Sequence, residues 1–201
     1  MVQTEAFVWL HLPRTGGTST VAAMRQAQRA LPRKERATWL VDDDKLRLKH
    51  DNLATRAVRE GRMVEAERVA MNMRPLGDWL MSNHKWATHM GLHVPVERYR
   101  EGEFFSLRLG RWCPADWWLG YFDVDKVTDF LRLDHLAEDL QAFLAEVHPQ
   151  AATLQLPHLN DLGASRPAAP DVSARERNPL WSALEARLWP EGTVGEGTAV
   201  A

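Results

Sequence analysis

The sequence predicts an α/β protein in which a parallel β-sheet is flanked by helices in a three-layer arrangement. The alternation of segments predicts this class, and the composition predicts a globular protein. Short apolar runs rich in β-branched and aromatic residues alternate with segments of helical character, and strand followed by helix, repeated, is typical of a parallel sheet covered on both faces. Hydrophobic residues make up 45% and charged residues 26% of the 201 residues, which is ordinary for a globular protein. We therefore expect a single domain over residues 1–189 and a flexible tail over 190–201.

Four strands are predicted where apolar runs have a high β-propensity. Each run is short and is followed by a polar or helical segment, as expected for strands that alternate with helices. They are residues 6–12 (AFVWLHL), 38–41 (TWLV), 68–73 (RVAMNM) and 127–133 (VTDFLRL).

Helices are predicted between and after these strands. The first starts on Thr18 and Ser19, which are good N-cap residues, and the fourth has its apolar residues at helical spacing. Residues 91–122 contain two prolines, four glycines and an aromatic cluster, so they predict an irregular excursion or a pair of short helices, and residues 156–173 predict a loop. The predicted helices are residues 18–30, 52–63, 76–90, 134–147 and 179–188.

Composition and charge exclude several classes of protein. The chain has no run of eighteen apolar residues, so we expect no membrane span. Its amino terminus has neither a basic region nor a small-residue cleavage site, which predicts a first strand and a cytoplasmic protein instead of a signal peptide. The single cysteine, Cys113, excludes a disulfide and a cysteine-based zinc site within the chain. A net charge of −2 makes a nucleic-acid surface unexpected.

The stretch HLPRTGGTST, residues 11–20, predicts an anion-binding loop. It lies between the first strand and the first helix, at the edge of a parallel sheet where ligands bind, and a helix N-terminus attracts anions. Two adjacent glycines let the backbone curl around an anion, while one arginine and three hydroxyl residues add donors. The predicted anion-binding residues are Arg14, Thr15, Gly16, Gly17, Thr18 and Ser19.

Two common nucleotide motifs do not account for this loop. The ATP and GTP loop requires the pattern G-x-x-x-x-G-K-[ST], whereas here the glycine pair stands directly before Thr18 and no lysine follows it. The dinucleotide fingerprint G-x-G-x-x-G is absent as well. A nucleotide kinase or other ordinary NTPase is therefore disfavoured, and a simple tight turn is the alternative on composition alone.

The segment H-L-P-R-T-G-G-T-S resembles the 5′-phosphosulfate-binding loop of sulfotransferases that use 3′-phosphoadenosine 5′-phosphosulfate. The likeness is greatest to the carbohydrate sulfotransferases, whose usual form is H-I-P-K-T-G-G-T-S, and Arg14 in place of lysine is the main departure. The resemblance implies the P-loop-like sulfotransferase fold, this nucleotide as the sulfate donor, a hydroxyl acceptor on a carbohydrate, and no metal.

A second segment, RPLGDWLMSNH, resembles the 3′-phosphate site of the same family, R-x-P-x-x-R-x-x-S-x-Y. It places Arg74 and Ser82 eight residues apart behind a predicted strand, which is about two helical turns. The resemblance implies that both bind the 3′-phosphate. Proline stands one place early, Trp79 replaces the second arginine and His84 replaces the tyrosine. Residues 127–144 and the segment LPHLN resemble later parts of the family, so the likeness extends over residues 7–166.

The resemblance implies sulfuryl transfer by in-line displacement. Arg14 is expected to hold the 5′-phosphosulfate and to offset charge on the bridging oxygen, although arginine, unlike lysine, hardly donates its proton. His50 is the first candidate for the general base that activates the acceptor hydroxyl, because related enzymes that act on sugars often carry a base at this place, and His11 is the second. Asp42, Asp43 and Asp44 are further candidates for the base, being close in sequence to His50.

Two points remain open on the sequence. Trp112, Trp117 and Trp118 are expected either to form a stacking wall for a sugar or to be core residues. The alternative function is a degenerate sulfotransferase-fold protein that binds the nucleotide without catalysis, since Arg14 and the altered second motif depart from the family pattern.

Overall fold

The computed structural model describes residues 1–41, 49–64, 66–149 and 172–190. These residues divide into two compact units, where the sequence predicts one domain over residues 1–189. The first unit holds residues 1–74 and 117–149, and the second holds residues 75–116 and 172–190. The tail after residue 190, the segment LPHLN and the aspartates at 42–44 lie outside the described residues.

The described residues contain seven strands and nine α-helices. The strands are β1 (Val2–Gln3), β2 (Phe7–Leu10), β3 (Leu40–Val41), β4 (Arg68–Met73), β5 (Glu103–Ser106), β6 (Arg111–Pro114) and β7 (Asp129–Arg132). The helices are α1 (Gly17–Ala30), α2 (Arg33–Arg36), α3 (Leu53–Glu60), α4 (Leu76–His89), α5 (Val96–Arg100), α6 (Asp116–Tyr121), α7 (Leu136–Val147), α8 (Val172–Arg177) and α9 (Pro179–Leu188).

A five-stranded sheet in the order β3-β1-β2-β4-β7 forms the first unit. β2, β4 and β7 are parallel, with Val8 opposite Val69 and Met71 opposite Phe130, whereas β1 runs antiparallel to both of its neighbours. All four predicted strands are therefore present, and the predicted α/β class is confirmed. The sequence did not indicate β1, which is only two residues long and is turned back into β2 by the Thr4 hydroxyl, because Thr4 Oγ1 accepts from the N–H of Phe7 at 2.9 Å.

The core of the first unit lies between the sheet and the helices α1 and α7. α1 buries Val21, Met24 and Ala27, which follow the helical spacing expected of an amphipathic helix. Phe7 on β2 meets the ring of Phe143 on α7 edge to face at 5.0 Å. α1 begins one residue earlier than predicted, with Gly16 and not Thr18 or Ser19 at its N-cap. This start matters for the site, because it places two glycines at the N-terminus of the helix.

The second unit combines α4, α5, α8 and α9 with the antiparallel hairpin β5–β6. The interpretation of residues 91–122 as irregular or as two short helices is correct for α5 and α6 but wrong for the hairpin between them. Phe104 pairs with Cys113 across the hairpin, and both are buried. α8 covers the end of the segment predicted as a loop. No helix of the described residues is long and apolar enough to cross a membrane.

Two buried groups tie α8 and α9 to the rest of the second unit. Asn178 is completely buried, donates to the carbonyl oxygens of Gly102 and Ala174 at 2.9 and 2.8 Å, and accepts from the N–H of Asp116 at 3.0 Å. The ring of Trp181, also completely buried, lies 4.7 Å from that of Trp79 on α4. The C-terminal helices are therefore part of the core of this unit.

Candidate functional site

The predicted anion loop lies at the carboxyl end of β2, where the chain turns into α1. Two of its residues have left-handed backbones: Arg14 has φ 67° and Gly16 has φ 81°. Glycine adopts this conformation readily, but for an arginine it costs about 1 kcal/mol. A strained non-glycine residue at such a position is typical of a functional site. No residue of the first turn of α1 is acidic, so the positive end of the helix has no carboxylate of its own there.

Both glycines of the loop are required by close contacts. A Cβ on Gly16 would lie 2.5 Å from Cδ1 of Leu133, in addition to the strain of a positive φ. A Cβ on Gly17 would lie 1.9 Å from Nε2 of His11. The imidazole of His11 therefore fills the space in which a side chain at position 17 would lie. Only glycine fits there without displacing the ring.

Asn72 on β4 holds the loop in place, and the sequence analysis missed it. Its amide nitrogen donates to the carbonyl oxygen of Thr15 at 2.8 Å and to Oγ1 of Thr20 at 2.7 Å, while its Oδ1 accepts from the indole N–H of Trp9 at 2.9 Å. Asn72 is completely buried. Without these hydrogen bonds its polar amide would destabilise the folded protein, because a buried polar group without a partner is unfavourable. The signal in the sequence was a single amide inside the apolar strand RVAMNM.

The rings of His11 and His50 lie next to each other beside the loop. Their ring centroids are 4.8 Å apart, and Nδ1 of His50 lies 2.8 Å from the carbonyl oxygen of His11. Because a carbonyl oxygen only accepts, Nδ1 of His50 carries the proton, and the lone pair of the neutral ring is at Nε2. Among the described residues, no hydrogen-bond partner meets this Nε2 atom.

Burial keeps both imidazoles neutral. Burial, with the charges of Lys49 and the amino terminus, lowers the pKa of His50 to about 4, although the hydrogen bond to His11 opposes the shift. His11 is only 3% exposed, and burial lowers its pKa well below the ordinary value. Its Nδ1 is buried and has no hydrogen-bond partner in the part of the chain that the structure describes. At neutral pH both rings are therefore uncharged.

The low pKa of His50 predicts that the protein loses stability in weak acid. The unfolded chain binds a proton near pH 6.5, but the folded chain does so only near pH 4. The free energy of unfolding is thus unaffected above pH 6.5 and falls by about 3 kcal/mol on this account as the pH drops to 4. Urea unfolding at the two ends of this range measures the loss. His50→Asn, whose amide can still donate to His11, should lose about 3 kcal/mol less, and an unchanged loss would contradict the assignment.

Arg14 and Arg74, which lie 60 residues apart in the sequence, come together at the loop. Nη1 of Arg74 is 3.5 Å from the carbonyl oxygen of Arg14. Burial lowers the pKa of Arg14, and the like charge of Arg74 lowers it further. An anion bound near both side chains would offset this repulsion.

The remaining predicted residues occupy different surroundings. The hydroxyl of Thr15 is completely buried and donates to the carbonyl oxygen of Leu12 at 2.8 Å, so it fixes the loop. Thr18 is exposed and Ser19 half-buried on the first turn of α1. Ser82 is half-buried on α4, in the second unit, so its pairing with Arg74 stays a prediction from the sequence.

Comparison with known proteins identifies no relative. No family model, no curated protein and no solved structure matches the chain. The sulfotransferase resemblance therefore rests on the sequence motifs.

An open groove of about 380 Å³ lies elsewhere on the first unit. Glu5 and Ala6, which line it, precede β2, so the groove is at the opposite end of this strand from the loop. Ligands of parallel α/β sheets bind at the carboxyl ends of the strands, and for this reason we favour the loop. The groove is lined by Glu5, Ala6, Lys34, Glu35, Thr38 and His148.

Among the described residues, no group of three or more histidine, cysteine or acidic residues is placed to hold a metal ion.

Proposed function

We propose that this protein is a sulfotransferase that moves the sulfuryl group of 3′-phosphoadenosine 5′-phosphosulfate to a hydroxyl group of a carbohydrate. The observation that carries the proposal is the contact between Arg74 and the backbone of Arg14. Each arginine belongs to a different sequence motif, and the two motifs resemble opposite ends of the same donor site. Because β2 and β4 are parallel neighbours, the segments that follow them share one edge of the sheet, as the two ends of one donor site would require.

The loop supplies what a phosphosulfate group requires. The N–H groups of the first helical turn have no partner within a helix, and those of α1 stand at its positive end. Arg14 adds a permanent charge with several donors, and Gly16 and Gly17 let the backbone approach the group closely. Arg74 extends the positive charge toward the place where the resemblance puts the 3′-phosphate, and Ser82 is assigned to that phosphate on the resemblance alone.

The proposed reaction needs one base and one source of positive charge. The acceptor oxygen attacks sulfur while its proton passes to Nε2 of His50, and the bond between sulfur and the bridging oxygen breaks. The products are the sulfate ester, 3′-phosphoadenosine 5′-phosphate and a proton. Arg14 offsets the charge that builds on the bridging oxygen. Since a phosphate leaving group has its second pKa near 6, it leaves as an anion at neutral pH, and an arginine that does not donate a proton is sufficient.

A bound anion would also raise the pKa of the base. An imidazole with a pKa of about 4 is neutral but weak as a base. A bound phosphosulfate places negative charge near His50 and His11, and negative charge raises the pKa of an imidazole. The donor is therefore expected to strengthen the base when the acceptor reacts, and to bind more tightly as the pH falls.

Replacement of Arg14 by alanine tests the proposal. Formation of 3′-phosphoadenosine 5′-phosphate from the donor, with a panel of carbohydrate acceptors, is expected to fall by about 10² to 10³-fold. Arg29→Ala is the matched control, because it removes the same charge from the exposed end of α1 far from the loop. Equal activity in Arg14→Ala and the control would reject the assigned role.

Binding distinguishes the enzyme from a non-catalytic relative. If 3′-phosphoadenosine 5′-phosphate raises the melting temperature but no acceptor on the panel consumes the donor, the protein binds the nucleotide without catalysis. If this bisphosphate raises the melting temperature no more than ATP does, the proposed donor is wrong. Arg74→Ala should weaken binding of 3′-phosphoadenosine 5′-phosphate more than binding of inorganic sulfate, because sulfate has no 3′-phosphate for Arg74 to contact.

A further inference from the structure

Three aromatic side chains of the first unit, here called the aromatic face, lie beside His50. Trp117, Trp118 and Tyr121 come from α6 and the ring centroid of Trp118 is 6.0 Å from that of His50. The rings of Trp117 and Tyr121 are stacked 5.4 Å apart with an interplanar angle of 13°. All three side chains are half-buried, so each keeps part of its surface in contact with solvent.

A hydrogen bond fixes the aromatic face relative to His50. The side-chain amide of Asn52 donates to the carbonyl oxygen of Tyr121 at 2.6 Å, and its Oδ1 accepts from the N–H of Thr55 at the start of α3. Asn52 is two residues after His50, so one side chain joins the histidine segment to the end of α6. The separation between the base and the aromatic rings is thus held by the fold.

The position of the base limits where an acceptor can lie. An acceptor hydroxyl has to come within hydrogen-bond reach of Nε2 of His50, since Nδ1 is already bonded to the carbonyl oxygen of His11. The ring centroid of Trp118 is 6.0 Å from that of His50, so a sugar ring that carries this hydroxyl can reach Trp118. Trp118 is therefore an aromatic neighbour of the base, whose charged neighbours are Lys49 and the amino terminus.

We propose that the aromatic face is the acceptor site and that it binds a neutral sugar by stacking, an inference that rests on the proposed function. A sugar ring has an apolar face of C–H groups and a polar edge, and aromatic rings bind such a face with large contact and little loss of entropy. Indole N–H and phenol O–H groups can also bond sugar hydroxyls. Because the rings remain half-exposed, they suit an acceptor that keeps one side in water, as a carbohydrate does.

Trp112 does not belong to this face, although the sequence analysis grouped it with Trp117 and Trp118. It lies on β6 in the second unit, where the guanidinium carbon of Arg98 is 4.7 Å from its ring centroid. Tyr99 and Phe105 contact the same ring edge to face. Trp112 is half-buried like the other two, and this makes it a matched control.

Fluorine NMR of the protein labelled with fluorotryptophan tests the inference directly. Single Trp→Phe variants assign the signals of Trp112, Trp117 and Trp118 in the full chain. Neutral methyl glycosides and short oligosaccharides are titrated in the presence of 3′-phosphoadenosine 5′-phosphate. We expect the signals of Trp117 and Trp118 to shift with the sugar and that of Trp112 to stay. Trp117→Ala should weaken sugar binding, or raise KM for the acceptor, by about tenfold with little change in kcat, and Trp112→Phe should not.

The outcomes separate this inference from the proposed function. If the bisphosphate binds and no sugar moves the signals of Trp117 and Trp118, the aromatic face is not the acceptor site, whatever the donor does. If a phenol moves them and sugars do not, the acceptor class is wrong. If sugars bind but neither the donor nor the bisphosphate does, the sugar site stands and the proposed function fails.

Discussion

Gly17→Ala is expected to destabilise the protein by about 3 kcal/mol and to abolish binding of an anion to the loop. The added methyl group would stand 1.9 Å from Nε2 of His11, a distance at which one of the two groups has to move. His11 is only 3% exposed and packs beside the ring of Trp9 at 5.0 Å, so the imidazole has little room to move. Displacement of α1 would instead shift the N–H groups that face the anion. Urea unfolding gives the stability, and the melting temperature with 3′-phosphoadenosine 5′-phosphate gives the binding.

A second substitution shows whether the clash is the cause. In His11→Ala/Gly17→Ala the methyl group meets no imidazole, so this double variant should be more stable than the sum of the two single effects predicts, by at least about 1 kcal/mol. Gly120→Ala is the matched control, because a Cβ at this glycine of α6 has no neighbour within 4 Å. Additive effects of the two substitutions would show that His11 does not set the requirement for glycine.

Trp181→Ala is expected to destabilise the second unit by about 3 to 5 kcal/mol, the range for removing a completely buried tryptophan. The ring contacts Trp79, and the N–H of Trp181 donates to Oδ1 of Asp116 at 2.9 Å at the start of α9. Loss of the ring leaves a cavity between α9 and α4, because the side chains of Asn178 and Asp116 accept hydrogen bonds from the N–H groups of Asp116 and Trp181 and hold α9 in position. Chemical unfolding measures the change.

The neighbouring residue provides the control. Leu180 is on the same turn of α9 but 47% exposed, so Leu180→Ala should change the free energy of unfolding by less than about 1 kcal/mol. Similar losses in both variants would mean that α9 is held by its backbone and not by the tryptophan core. The expected loss of stability concerns α9 alone, a helix into which neither sequence motif extends.

Local sequence was enough for the strands and for the loop. The four predicted strands are apolar runs long enough to carry a pattern, and the loop depends on adjacent residues whose backbone preferences are known. β1 was missed because Val2–Gln3 forms no apolar run, whereas β3, which is equally short, ends the apolar run TWLV. The pairing of β1 depends on the Thr4 turn. The hairpin β5–β6 escaped because its four-residue strands lie among glycines and prolines, which predict loops.

Contacts between distant segments were beyond the sequence. The motifs gave Arg14 and Arg74, but not their approach to one another. Asn72 was hidden inside a strand because its role depends on Trp9, Thr15 and Thr20, none of which is close to it in sequence. His50 was chosen for its place after a strand, whereas its tautomer and neutral state follow from burial and from one carbonyl group.

The hydrogen bonds of Asn72 connect the anion loop to the indole ring of Trp9, which is fluorescent. Its amide holds the backbone of Thr15 and its oxygen holds the indole of Trp9, which also contacts His11. Any ligand that moves the loop must alter the surroundings of this one buried indole. The fluorescence of the nine tryptophans therefore includes a contribution from Trp9 that is expected to change when a ligand occupies the loop.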